Sequence, residues 1–595
     1  MCGIIGCTGT LYAPDILIGG LKKLEYRGYD SAGIAVKLES GTAVCKTQGK
    51  VALLEEKVKN TDLSGATCGL GHTRWATHGE PSDVNSHPHR HGRVTLVHNG
   101  IIENYLELRD ELGVTPVSQT DTEIAAILID SLYDGDPLAA IRGAIKRIRG
   151  SFAFGVMFDD VPGTLFAVRR DSPLIIGVSA GENFIASDIP AILSHTKNYY
   201  LADEDEIAVV TRDSVRFFGE DGEKTKMLLT AAWDEQSAQK SGYKHFMLKE
   251  IYEEPKVIAA TVGAYKKGDV LFGDCSFDFK INGRVFIVAC GSAMHAALLG
   301  KYAIEKLARI PVSVEIASEF RYDDPILGKD DLVIAISQSG ETADTLAAVR
   351  LAKSKGVRTL GIVNVWGSTL SREADDVIYT YAGPEICVAT TKAYLCQLTV
   401  LDMMALRLGR EHMGEARYHE LLSALDSLPE YIEKALLLDG CCRELADRNL
   451  DRDDQFYIGR GQDFSVCTEA SLKLKEVSYV HCEAYAAGEL KHGTISLVVD
   501  GTPVIAVMTE RSRLPKTVSN IKEVASRGAS VICVTYADVD VSAFCDSKIV
   551  IETPDEFFAP VIATTPLQLY AYHVADGRGN DVDKPRNLAK SVTVE

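Results

Sequence analysis

Read as a pattern of apolar and polar positions, the chain changes rhythm partway along. In its first third, Ser31–Val36, Thr95–Val97, Ser151–Phe158, Thr164–Val168, Leu174–Val178 and Asn183–Ala186 are short runs rich in β-branched and aromatic side chains, separated by turn residues. Such runs predict strands. The stretch from Phe152 to Arg170 reads as a hairpin turning over Asp159–Gly163. Pro14–Leu24 instead puts Ile16, Leu17, Leu21 and Leu24 on one helical face. Strands with helices set against them predict a layered α+β domain over residues 1–220.

Residues 221–245 are polar and turn-rich and read as a linker. Beyond them, Arg284–Cys290, Asp331–Ile336 and Arg358–Val363 are continuous apolar runs, each followed by a helix-length segment. That alternation predicts parallel strands covered on both faces. The second half also repeats itself. RVFIVACG at Arg284–Gly291 pairs with QFYIGRG at Gln455–Gly461, EIASEF at Glu315–Phe320 with YAAGEL at Tyr485–Leu490, and LVIAIS at Leu332–Ser337 with PVIAVM at Pro503–Met508. Common order and nearly constant spacing predict two tandem α/β domains, residues 246–411 and 450–580, joined by a helical connection over 412–449 and followed by a tail, 581–595.

Composition narrows the function. With 595 residues, the chain is long enough for about three or four domains. It is 46% hydrophobic and 25% charged, ordinary globular usage, and its net charge of −20 disfavours nucleic acid and anionic membranes as partners. No apolar run approaches the roughly 20 residues of a membrane span. The absence of Lys and Arg before Lys22 argues against a secretory leader. The 14 cysteines are scattered without a C-x-x-C pair, which fits reduced thiols and a cytoplasmic enzyme.

Cys2 is the first candidate for chemistry. Trimming of Met1 would leave its thiol and a free α-amine in one residue. An α-amine of pKa about 7.8 is roughly 14% unprotonated at neutral pH, whereas a lysine is under about 0.1%. It is therefore the better base for the thiol. Around Cys2 stand the motifs MCGIIG, EYRGYDSAG (Glu25–Gly33), GHTRWATHG (Gly71–Gly79), HNGIIENY (His98–Tyr105) and TDTE (Thr120–Glu123). In this order they resemble the glutaminase domain of N-terminal-nucleophile amidotransferases, which implies an αββα fold. Asn99 and the Gly100 N–H suit an oxyanion hole. Arg74 suits the carboxylate of free glutamine and Asp121 its ammonium. The resemblance implies a glutamine pocket of Arg74, Trp75, Thr77, His78 and Asp121, with Trp75 gating ammonia transfer. His87, His89 and His91 lack the cysteines or carboxylates of a zinc site and read as a polar loop cluster. No metal or cofactor is expected.

The second half carries DLVIAISQSGETADTLAAVRLAKSKG: a strand, a hydroxyl-rich loop at Ser337–Thr342, and a helix from about Ala343. Hydroxyls and backbone N–H groups at a helix start suit a phosphate, although an ordinary helix cap reads the same way. As SQSGET, the loop resembles that of sugar-isomerase (SIS) domains. This makes Ser337, Gln338, Ser339 and Thr342 the expected phosphate contacts. The second repeat reads TERSRLP at this turn, which predicts one sugar site per chain.

LKLKEVSYVHCEAYAAGELKHG (Leu472–Gly493), VATTKAY (Val388–Tyr394) and the terminus DVDKPRNLAKSVTVE resemble the isomerising glutamine–fructose-6-phosphate aminotransferases. With the front domain, the resemblance spans nearly the whole chain. It implies that Cys2 releases ammonia from L-glutamine, and that a homodimer adds it to D-fructose 6-phosphate and isomerises the product to glucosamine 6-phosphate for amino-sugar synthesis. Lys590 is then the Schiff-base lysine, Glu476 moves a proton between C1 and C2, His492 of the partner subunit assists ring opening, and Lys473 supports the open chain. Ser292, Val388 and Thr390 complete the sugar-phosphate site. Each has a plainer reading; Lys473 and Glu476, three apart on a helix, would also pair on a surface. Ala293, Thr390 and Thr494 depart from the family pattern, and Ala293 lacks the hydroxyl expected at phosphate. Two alternatives keep the same motifs: a sugar-phosphate-binding regulator without catalysis, and an amidotransferase with another phosphosugar acceptor.

Overall fold

The computed structural model describes residues 2–76, 78–231 and 240–593, so the expected contact Thr77 lies outside the described residues. The chain divides into two compact units: residues up to 231 together with 589–593, and residues 240–588.

The first unit is built on two stacked antiparallel sheets. From edge to edge the first runs Leu229–Thr230, Asn198–Leu201, Ile175–Ser179, Glu182–Ala186, Gly3–Gly9, Cys68–Arg74, Ser31–Leu38 and Gly41–Gln48. The second runs Gly222–Lys224, Val215–Gly219, Ile207–Thr211, Thr164–Arg170, Gly150–Phe158, Val94–Ile102 and His89–His91. Strand alternation accounts for the layers. Ile4, Leu70, Val97, Ala153, Leu165 and Ile185 fill the space between the sheets. Ile5, Ile34 and Phe184 point outward, onto Leu17, Leu21 and Leu54 of the helices Ala13–Leu24 and Val51–Lys59. Phe152, Phe154 and Phe158 pack on Ile124, Leu128 and Ile141 of Asp121–Ser131 and Pro137–Arg147. Both faces of each sheet are thereby buried, giving the αββα order. The polar run taken as a linker begins instead as sheet edge: Gly222–Lys224 pairs with Val215–Gly219, and Leu229–Thr230 with Asn198–Leu201. Backbone pairing at an edge needs no apolar side chains, so the run carries no strand signature.

The second unit holds two five-stranded parallel sheets. One runs Val312–Ile316, Val285–Ala289, Leu332–Ser337, Arg358–Val363 and Asp376–Tyr379; the other runs His481–Ala486, Asp454–Gly459, Pro503–Val507, Ser530–Thr535 and Ser547–Val550. In chain order both read second, first, third, fourth, fifth, so the repeat in sequence is a repeat of topology. The long buried helices Lys392–Met413 and Ala559–Gly577 occupy equivalent places, packing on Gly291–Ala308 and Gln462–Ser478 respectively. These two inner helices also meet each other, and one continuous apolar core joins the repeats. Glu415–Leu436 and Asp439–Asp447 supply the helical connection. In sheets of this order the chain reverses direction between the first and third strands, and ligands bind beyond their carboxyl ends.

Candidate functional site

In the first unit the site is organised around Cys2. Gly3 lies opposite Thr73 across the sheet, which brings Arg74 and Trp75 alongside Cys2. The Trp75 N–H donates to Cys2 Sγ at 3.3 Å, and the thiol faces the Trp75 carbonyl oxygen at 3.5 Å. Burial holds the thiol pKa above its ordinary value; the Trp75 backbone bond and the Arg74 charge pull the other way without overcoming it. Such a thiol needs a base before it attacks.

Asn99 projects from the neighbouring sheet. Its Nδ2 donates to the Cys2 carbonyl oxygen at 3.0 Å. Its Oδ1 lies 3.1 Å from His72 Nε2, which also faces the His98 carbonyl oxygen at 2.9 Å. Both partners are acceptors, so the proton is assigned to Nε2. Burial lowers the His72 pKa to about 3, leaving the ring neutral at physiological pH. Together the two bonds fix the Asn99 amide with its oxygen toward His72 and its NH₂ toward Cys2, the sense an oxyanion donor requires. Gly100 follows at φ 131°, and a Cβ there would sit 2.1 Å from the Ser151 carbonyl oxygen, so a side chain is excluded.

Alternation along Cys68–Arg74 places His72 and Arg74 on the same face. Arg74 Nη2 donates to the carbonyl oxygens of His78 and, at 3.0 Å, Gly79, while Nη1 is buried and has no hydrogen-bond partner among the described residues. An unsatisfied guanidinium nitrogen is suited to a carboxylate. Asp121 begins the helix Asp121–Ser131, capped by Thr120, and its Oδ2 accepts from the Ile102 N–H at 2.8 Å. Trp75 stands edge-on to Tyr29, and His78 edge-on to Tyr105. The histidines expected in a polar loop are placed differently. His87 and His89 are buried, His87 stacks on His72 at 4.1 Å, and only His91 is exposed, beside Asp130. Burial pushes the pKa values of His87 and His89 well down.

In the second unit, Ser337–Thr342 leaves the strand Leu332–Ser337 at the reversal point of its sheet. The hydroxyls of Ser337 and Thr342 lie 3.0 Å apart, the Gly340 N–H donates to Ser337 Oγ at 3.0 Å, and the Glu341 N–H to Ser339 Oγ at 3.2 Å. Gly340 has φ 68°, and a Cβ there would meet Ser368 Oγ at 2.1 Å. Gln338 anchors the loop through its carbonyl oxygen, which accepts from the Asn364 N–H at 3.2 Å. Thr342 is the N-cap residue of Ala343–Ser354. Ser292, at the start of the helix Gly291–Ala308, instead donates its hydroxyl to Glu469 at 2.9 Å.

Glu469, Lys473 and Glu476 form a stripe on Gln462–Ser478. Lys473 is 1% exposed and its Nζ lies 2.5 Å from Glu476 and 3.5 Å from Glu469, so this pair is not a surface pair. Burial opposes the lysine charge, but the two carboxylates outweigh it and raise its pKa. Glu469 also accepts from His295 Nδ1 at 2.8 Å, linking the two α/β repeats. Sequence reasoning missed Glu469, although positions 469, 473 and 476 follow helical spacing. Val388 is buried beside the half-buried Thr390, and its N–H donates to the Asp583 carbonyl oxygen at 3.1 Å, fixing the tail against this segment. The Asp583 carboxylate accepts from the Met247 N–H at 3.0 Å and pairs with Lys240. His492 is exposed in the short turn Leu490–His492, and Lys590 is half-buried and groups with the first unit.

The SIS domain family matches residues 279–407 and 451–575, and the glutamine amidotransferase domain family matches 72–194. The chain is 50% identical over 100% of both lengths to glutamine–fructose-6-phosphate aminotransferase [isomerizing] of Clostridium tetani, and 44% identical over 100% of both to that of Thermus thermophilus. Among solved structures, the C-terminal domain of glucosamine-fructose-6-phosphate aminotransferase from Francisella tularensis matches at 39% identity with a TM-score of 0.56, covering 58% of this chain and 99% of that one. With this identity over its full length, the chain belongs to the isomerising glutamine–fructose-6-phosphate aminotransferase family.

Proposed function

We propose that the protein converts L-glutamine and D-fructose 6-phosphate to L-glutamate and D-glucosamine 6-phosphate, as a cytoplasmic homodimer supplying amino-sugar synthesis. The domain division proposed for this activity is a glutaminase over 1–220, SIS domains over 246–411 and 450–580, and a tail over 581–595. The observation that carries the glutaminase half is the placement of an Asn99 amide, held in one orientation by His72, against the Cys2 carbonyl oxygen beside the thiol. After Met1 is removed, the α-amine takes the thiol proton and Sγ attacks the side-chain carbonyl carbon of glutamine. Asn99 Nδ2 and the Gly100 N–H stabilise the oxyanion. On collapse the α-ammonium returns its proton to the amide nitrogen, the C–N bond breaks to release ammonia, and the thioester left behind is hydrolysed by water to glutamate and the free thiol. Arg74 Nη1 takes the substrate carboxylate and Asp121 its ammonium, with Trp75, Thr77 and His78 closing the pocket.

In the sugar half, Ser337, Gln338, Ser339 and Thr342 hold the phosphate, with Ser292, Val388 and Thr390 beside it. Lys590 forms a Schiff base with the open-chain ketose, His492 of the partner subunit assists ring opening, and Glu476 moves the proton between C1 and C2. Lys473 supports the open chain. Its buried ammonium pairs with the Glu476 carboxylate and holds it in place.

Cys2→Ala tests the division of labour. The variant is expected to lose glutamine hydrolysis and keep fructose 6-phosphate binding, measured by calorimetry. Loss of sugar binding in a folded Cys2→Ala protein would refute it.

A further inference from the structure

The two SIS repeats share one topology, yet their reversal points are filled differently. In the second repeat the corner lies between the strands Asp454–Gly459 and Pro503–Val507. There Asp463, 1% exposed, turns its carboxylate into the loop that begins at Thr509. Its Oδ2 accepts from the Thr509 N–H at 2.9 Å and from the Glu510 N–H at 3.1 Å, and Oδ1 accepts from the Thr509 hydroxyl. Two successive backbone N–H groups and a hydroxyl converging on one anion make the kind of cradle that binds phosphate oxygens. Counted from the end of the first strand of each repeat, the position of Asp463 is that of Ala293 in the first repeat. Counted from the third strand, Thr509 and Glu510 correspond to Gln338 and Ser339. One corner therefore carries its own anion, and the other carries a methyl group that leaves space for an external one.

Burial raises the Asp463 pKa to about 6, so the carboxylate is mostly ionised at neutral pH. The cations of the loop are engaged elsewhere, Arg513 with Glu510 at 2.8 Å and Arg511 with Asp538 at 2.8 Å. The backbone N–H groups therefore supply the recognition.

We infer that Asp463 is an internal substitute for a phosphate group: it occupies a second, latent phosphate corner and confines sugar-phosphate binding to the first SIS repeat. This rests on the proposed reading of Ser337–Thr342 as the phosphate loop. Asp463 is on this account a specificity-determining residue, acting by exclusion.

The test is the number of inorganic phosphates bound per full-length chain, measured by isothermal titration for the wild type, Asp463→Ala and Asp463→Asn. Asp463→Ala removes the anion and opens space, and should bind one phosphate more than the wild type. Asp463→Asn keeps the corner filled, and should bind the wild-type number. If Asp463→Ala folds poorly, phosphate should restore its thermal unfolding midpoint while chloride at equal ionic strength should not. An Asp463→Ala protein with wild-type stoichiometry, or one equally unstable in phosphate and chloride, would overturn the inference. The increment decides the matter: a wild type binding no phosphate would refute the reading of Ser337–Thr342, whereas a gained site in Asp463→Ala would still support the role of Asp463.

Discussion

Replacing His72 by leucine tests whether the orientation of Asn99 is built by the fold or supplied by the substrate. His72 is fully buried and neutral, and its Nε2 proton is shared between the Asn99 Oδ1 and the His98 carbonyl oxygen. Leucine keeps much of the volume and removes the donor. One of the two bonds fixing the amide then remains, from Nδ2 to the Cys2 carbonyl oxygen. A neutral buried hydrogen bond contributes about 1–1.5 kcal/mol. At about 1.36 kcal/mol per decade this lowers the productive orientation, and kcat for glutamine hydrolysis, by about five- to tenfold. Complete loss of the Asn99 donor sets the ceiling, about a hundred- to a thousandfold. The KM for glutamine should stay within about threefold, because neither Arg74 nor Asp121 is touched. Leaving two buried acceptors short of a donor should also cost about 1–3 kcal/mol of stability, read from denaturant unfolding. His72→Gln, which restores an N–H donor, should recover part of kcat. A folded His72→Leu enzyme with wild-type kcat, or one whose loss lies wholly in KM, would refute the reasoning.

Arg74→Lys should raise the KM for glutamine by about ten- to a hundredfold, since a charged hydrogen bond to the substrate carboxylate is worth about 1.5–3 kcal/mol; an unchanged KM in steady-state kinetics would remove Arg74 from the pocket. Lys473→Met leaves the Glu469 and Glu476 carboxylates without their shared cation and should destabilise the protein by about 3–5 kcal/mol. Calorimetric unfolding midpoints matching the wild type would contradict that pairing. Glu254 is fully buried in the helix Glu254–Tyr265, and desolvation lifts its pKa from 4.5 to about 8 despite the Thr565 hydroxyl bond. A raised carboxyl pKa means that stability present below about pH 4.5 is lost as pH rises through about 8. Glu254→Gln should therefore stabilise the protein most at alkaline pH, by an amount bounded at about 5 kcal/mol, with the gain vanishing in acid. A gain independent of pH would show that Glu254 does not titrate in this window.

Much of this architecture is legible in the sequence because burial on both faces leaves a signature. The continuous apolar runs Val285–Ala289 and Leu332–Ser337, and their counterparts Asp454–Gly459 and Pro503–Val507, are strands at the centre of parallel sheets, and their spacing reveals the duplication. The edge strands Gly222–Lys224 and Leu229–Thr230 escape notice, since backbone pairing at a sheet margin selects no apolar residue. Cys2, Arg74 and Asn99 draw attention through motifs, but the motifs do not disclose that a buried neutral His72 sets the Asn99 amide. A buried histidine and a solvated one look alike in a polar stretch, which is why His87 and His89 read as loop residues. Asp463 is the extreme case: at the second position of a helix it resembles an ordinary first-turn acid. Only the pairing of the third strand with the first shows whose N–H groups it satisfies.

The central claim is that nitrogen leaves glutamine at Cys2 and arrives on the sugar. It is tested most directly by giving the purified protein fructose 6-phosphate and glutamine isotopically labelled at the side-chain nitrogen, in unlabelled ammonium buffer, and weighing the amino sugar by mass spectrometry. The account predicts glucosamine 6-phosphate carrying the label, and none from Cys2→Ala. Glutamate released without labelled amino sugar, or label transferred by Cys2→Ala, would contradict it.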